Sequence, residues 1–79
     1  MSDDRLKAFG MAVRKLRKGK GISQEDFADL AKIDRSYFGQ IERGEKNISL
    51  GKVFLICDAL QVTPPDLFLT MKDLEKEND

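Results

Sequence analysis

The sequence predicts an all-α domain of five short helices, and three observations carry that prediction. Apolar residues recur at helical spacing, and no stretch alternates with period two. Residues suited to cap a helix start, Ser23, Asp34, Ser49 and Thr63, stand just ahead of the apolar segments. Glycines or prolines punctuate three of the four gaps between helices. The chain has 79 residues, 41% apolar and 35% charged, which suits one small domain over residues 1–79.

The first helix is expected over about Asp4 to Lys18, with Leu6, Phe9, Val13 and Leu16 on one stripe and Gly19 and Gly21 ending it. Ser23 caps the second, and Asp26 three residues on makes a capping box with Asp in place of Glu or Gln. That helix, Gln24 to Ala31, makes only about two turns. A short turn, Lys32-Ile33-Asp34, leads to a third helix that runs to about Arg43, ahead of Gly44. Ser49 caps a fourth, Leu50 to Leu60. Thr63 caps a fifth, with Pro64 at its first position and Asp66 near its positive end. The fifth reaches at least Met71, and the charged tail either extends it or frays.

Composition excludes several function classes. There is no histidine, the most common metal ligand and acid–base group. Cys57 is the only cysteine, which rules out an intramolecular disulfide or a cysteine-rich zinc site. Flanked by Phe54, Ile56 and Leu60, it reads as a buried structural thiol. No phosphate-loop glycine pattern is present. These points argue against an enzyme, and no cofactor, metal or small-molecule ligand is expected. No apolar run approaches the roughly 20 residues of a membrane span, and no signal-peptide pattern opens the chain, so a cytoplasmic module is expected. Asn47-Ile48-Ser49 matches a glycosylation acceptor by chance.

The net charge is zero, but unevenly spread. Residues 1–47 carry 11 basic and 8 acidic side chains, and residues 48–79 carry 3 and 6. The densest run, Arg14-Lys15-Leu16-Arg17-Lys18-Gly19-Lys20, has five cations in seven positions. Such a chain presents either a basic face to a polyanion or a solvated helix surface.

The informative feature is the pair of short helices joined by a tight turn, over residues 24–43, which resembles a DNA-binding helix-turn-helix. Ala28 is small where the two helices approach, and Ile33, Phe38 and Ile41 plug the core beneath. At about 100° per residue, Ile41, Glu42 and Asp34 cluster around Phe38, while Ser36, Gly39, Gln40 and Arg43 gather opposite. That outward side holds hydrogen-bonding and cationic groups and no carboxylate. Glutamine suits an adenine edge, arginine guanine or phosphate, and serine either. Arg35 stands at the N-terminal end, which a recognition helix pushes deepest into the groove, and Tyr37 lies on the flank. Glu42 faces inward, where an unpaired carboxylate is costly. Arg17 lies near the apolar stripe of the first helix, so an Arg17–Glu42 ion pair is expected.

Gly21-Ile22-Ser23-Gln24-Glu25-Asp26-Phe27-Ala28 and Asp34 through Gly44 are similar to the Cro and phage-repressor (Xre-type) helix-turn-helix family. Within it the chain is most like the small controller proteins of restriction–modification systems, through Asp34-Arg35-Ser36-Tyr37 and Glu42-Arg43-Gly44-Glu45-Lys46-Asn47-Ile48-Ser49. The resemblance implies a compact lambda-repressor-like fold. It implies Arg35, Ser36 and Gln40 as base-reading residues. Gln24, Arg43, Lys46 and Asn47 are implied as contacts to the DNA backbone, joined by Tyr37 from its flanking position. It also implies the Arg17–Glu42 pair. Two residues depart from the pattern: Lys32 stands where the family usually has a left-handed glycine, and Gly39 lies inside the recognition helix.

Leu67, Phe68, Met71 and Leu74 form one stripe of the fifth helix, with Leu69 off it. A chain this small has trouble hiding them all beside the fourth helix. The surplus makes helices four and five, about 50–76, either a homodimer face with Phe54 and Val62 at its rim or an intramolecular core. A dimer sets two recognition helices about 34 Å apart on a double-stranded, pseudo-palindromic operator. The expected function is therefore a homodimeric transcriptional regulator, a controller acting on its own promoter. The alternatives are an antitoxin-type or stand-alone autorepressor, or a protein-interaction module that has lost DNA binding.

Overall fold

The computed structural model describes residues 4–77. It contains α1 (Asp4–Gly19), α2 (Gln24–Ala31), α3 (Arg35–Glu42), α4 (Leu50–Leu60) and α5 (Pro64–Glu77). The tail extends α5 instead of fraying at Met71, and Gly19 is the last residue of α1 rather than the first beyond it.

Local chemistry sets the helix ends. Ser23 Oγ accepts from the backbone N–H of Asp26 at 3.1 Å, an Asp34 carboxylate oxygen from that of Tyr37 at 3.2 Å, and Ser49 Oγ from that of Lys52 at 3.2 Å. Thr63 and Asp66 cap reciprocally: each backbone N–H donates to the other's side chain, at 3.1 and 3.4 Å. These bonds satisfy donors that have no partner within their helices. Lys32 ends α2 in the left-handed region at φ 58, ψ 44. The family's glycine would sit there without the cost of about 1 kcal/mol that lysine carries. Gln61 ends α4 in the same way, at φ 60, ψ 40.

The core lies where all five helices meet. Phe27, Phe38, Ile41, Ile56, Leu60, Leu67 and Val13 are fully buried, each worth roughly 1.5–3 kcal/mol. The Phe27 and Phe38 rings stack at 4.9 Å between centroids, joining α2 to α3. Phe9 and Phe68 approach at 6.3 Å and join α1 to α5. Cys57 is buried in this core, and burial pushes its thiol above the ordinary range, as expected of an inert structural cysteine.

Two glycines let α1 and the end of α3 meet. A β-carbon at Gly10 would overlap the backbone carbonyls of Ile41 and Glu42. Gly44 turns the chain at φ 75, and a β-carbon there would lie 2.6 Å from Lys7 Cα. Larger residues would push α3 off α1.

The α5 stripe divides differently from the sequence expectation. Leu67 is fully buried in the chain's own core, so it has no surface for a dimer contact, and its place in the expected interface is corrected here. Its neighbours Phe68 and Leu69 point outward instead. Val62, Met71 and Leu74 are half-buried and pack against the core. No single helix among the described residues is long and apolar enough to cross a membrane.

Candidate nucleic-acid interface

The platform beneath α3 is a buried polar network. Arg17 on α1 donates through Nε to Glu42 Oε2 at 2.8 Å and through Nη2 to Glu42 Oε1 at 3.1 Å. Its Nη1 donates to the Ile22 carbonyl at 2.8 Å, tying in the segment before α2. Gln24 Nε2 at the start of α2 donates to Glu42 Oε1 at 2.8 Å. The two charged side chains are only 8% and 2% exposed, so each depends on the other for compensation. One carboxylate at the end of α3 thus fixes that helix to both preceding helices. Gln24 spends one amide hydrogen here and keeps a second donor at the mouth of the motif.

The outward side of α3 differs. Arg35 and Ser36 are exposed, and Gln40 is half-buried. None of these three side chains makes a hydrogen bond within the described residues. These three residues of α3 thus leave donors open to a partner. Tyr37 is half-buried against the core, with Lys52 Nζ 5.9 Å from its ring centroid. Nothing in the sequence pattern marks Lys52, which approaches the Tyr37 ring from the first turn of α4. Lys46 and Asn47 are exposed in the loop before α4.

Arg43 caps the C-terminal end of α3 and is exposed, but it is not unpartnered. Its Nε and Nη2 donate to the two Glu45 oxygens at 2.9 and 3.3 Å. That hydrogen bond holds the Glu45 carboxyl below its usual range and the guanidinium above its own. Gly39 is buried beneath the Arg43 and Gln24 side chains rather than facing solvent with Ser36 and Gln40. Helical angle alone ignored the long side chains that fold across it.

The basic run of α1 is split. Arg17 turns inward to Glu42, while Arg14, Lys15 and Lys18 line a groove with Met11 and Leu74 along the seam with α5. Across α4 and α5, Phe54 and Phe68 are exposed. Leu50, Leu55 and Leu69 are exposed too. The spacing of Leu50 and Phe54, one turn apart, was the available signal for Leu50. Among the described residues no group of three or more His, Cys, Asp or Glu side chains is placed to hold a metal ion.

Residues 13–67 match the helix-turn-helix family. Control protein C.MunI of Mycoplasma sp is 41% identical over 98% of this chain and 100% of its own length. Control protein C.BamHI of Bacillus amyloliquefaciens is 40% identical, over 87% of this chain and 89% of its own. Among solved structures, the restriction-modification controller protein C.AhdI from Aeromonas hydrophila superposes with a TM-score of 0.80 at 43% identity, covering 82% of this chain and 98% of its own. The controller C.Esp1396I, solved as a tetramer in complex with its natural 35 base-pair operator, gives 0.85 at 29% identity, covering 91% and 95%. The chain belongs to the helix-turn-helix family, and within it is similar along its length to the restriction–modification controller proteins.

Proposed function

We propose that this chain is a non-catalytic, cytoplasmic, sequence-specific DNA-binding regulator that acts as a homodimer on a pseudo-palindromic operator at its own promoter, as a restriction–modification controller. The observation that carries the reading is the outward side of α3. Arg35, Ser36 and Gln40 are held out by the buried Arg17–Glu42 platform with their side-chain donors unspent. Arg35 and Ser36 enter the major groove first and read base edges together with Gln40. Gln24, Tyr37, Arg43, Lys46 and Asn47 fasten the motif to the phosphate backbone on either side. The operator complex of C.Esp1396I supports the same use of the shared fold.

The whole chain serves as one domain, with α4 and α5 as its dimerisation half. Exposed Phe54 and Phe68, joined by Leu50, Leu55 and Leu69, supply the apolar contact surface, with Val62, Met71 and Leu74 filling in beneath. Occupancy then follows the protein's own concentration, because dimerisation and site filling are coupled by mass action.

Footprinting on the DNA upstream of its own gene, at low and moderate salt, tests the reading. A bounded protected site with two half-sites about one helical turn apart is expected, weakening as salt rises. Equal, unbounded protection of upstream and random DNA contradicts it.

A further inference from the structure

We infer that Gly39 and Glu45 are positioning residues that hold the Arg43 guanidinium with its outer edge free for a DNA phosphate. This rests on the DNA-binding reading above. Arg43 stands at the end of α3 and its side chain turns back over the last turn of that helix. Its Nη1 lies 3.2 Å from where a β-carbon of residue 39 would be, and Gln24 Oε1 lies 3.7 Å from the same point. The guanidinium therefore rests in the space that glycine leaves.

A guanidinium has five N–H donors. Glu45 takes one on Nε and one on Nη2, along the side edge, at 2.9 and 3.3 Å. The outer edge keeps one donor on Nη2 and those on Nη1. That pair forms a parallel fork, the geometry that grips two phosphate oxygens or the O6 and N7 of guanine. A long exposed arginine otherwise samples many rotamers and loses them on binding. Here the carboxylate and the glycine shelf fix the fork beforehand. Both side chains stay open to solvent, at 59% and 50% exposure, so the pair contributes little to folding.

Charge alone predicts the opposite effect. A carboxylate beside a polyanion is repelled, so removing it should tighten DNA binding. If Glu45 merely competes with DNA for Arg43, the sign is the same. Positioning reverses that sign. Gly39 separates in a second way: alanine favours a helix interior over glycine, so Gly39→Ala should raise the melting temperature while it pushes the guanidinium a few tenths of an ångström from its seat.

The test measures affinity for the upstream DNA and for an unrelated duplex of equal length. It compares wild type, Glu45→Gln, Gly39→Ala, Arg43→Ala and the Arg43→Ala/Glu45→Gln double variant, with melting temperatures alongside. Glu45→Gln and Gly39→Ala are expected to weaken both duplexes by about 3- to 10-fold. Glu45→Gln should leave the melting temperature almost unchanged, and Gly39→Ala should raise it. In the Arg43→Ala background, Glu45→Gln should no longer weaken binding. Tighter or unchanged binding by Glu45→Gln with Arg43 intact overturns the inference, as does weakening that persists without Arg43. Loss confined to the upstream DNA overturns the phosphate assignment in favour of a guanine. Wild-type protein that fails to bind its upstream DNA overturns the regulator reading as well.

Discussion

Around α3, ionic groups are inside and donors are outside; across α4 and α5, apolar groups are outside. Arg17 and Glu42 are buried as a pair beneath the recognition helix, and Arg35 and Ser36 stand in solvent above it. On α4 and α5, Phe54, Phe68, Leu50 and Leu69 are each roughly half exposed or more. The first surface has what a hydrated polyanion needs, namely donors on a rigid rod. The second has what another apolar surface needs and would gain nothing from a phosphate. On the reading proposed above, binding DNA and pairing with a second copy fall to different sets of side chains, and each can be broken separately.

The largest effect comes from the platform. Arg17→Met leaves Glu42 buried and unpaired, which should cost about 3–5 kcal/mol of folding stability. Thermal or urea unfolding checks this, and an unchanged midpoint would show that the pair does not anchor α3. On the apolar surface of α4 and α5, Phe54→Asp should leave the fold intact and weaken self-association by about 2 kcal/mol, or about 30-fold in the dimer constant. Sedimentation equilibrium reads it directly. Wild-type protein that stays monomeric at high micromolar concentration would remove the contrast between the two surfaces.

The smallest expected effect sharpens the comparison at the start of α5. Hydrogen bonds from the Thr63 hydroxyl side and backbone hold the Asp66 carboxyl below its ordinary range. A lowered folded value means the cap stabilises above about pH 4, where an unfolded aspartate is ionised, and fades as pH falls through the folded value. The melting-temperature gap between wild type and Asp66→Asn should be widest near neutrality and narrow in acid. A gap independent of pH would remove the ionised cap from the explanation.

Local signals were readable from the residues. Ser23, Asp34, Ser49 and Thr63 placed four helix starts because a cap is decided by a few adjacent groups. The Arg17–Glu42 pair is legible in the sequence because each residue lies by helical angle on an inward face, and buried charge demands compensation. What stayed hidden depends on how helices pack. Leu67 and Phe68 are neighbours of equal hydrophobicity, and only the seating of α5 on α1 and α4 sends one to the core and the other to solvent. Gly39 looked open because the Arg43 rotamer that covers it is fixed by Glu45, two residues beyond. Gln61 takes a left-handed cap that glycine or asparagine would have announced.

The central claim is that the exposed side of α3 distinguishes one DNA sequence from another. Arg35→Ala tests it most directly, with affinity measured in parallel on the footprinted site and on random DNA at one salt concentration. The expected result is a loss of about 1–3 kcal/mol on the site, little change on random DNA, and relaxed preference at the contacted base pair. An equal loss on both would make Arg35 another phosphate contact and contradict base reading by this face.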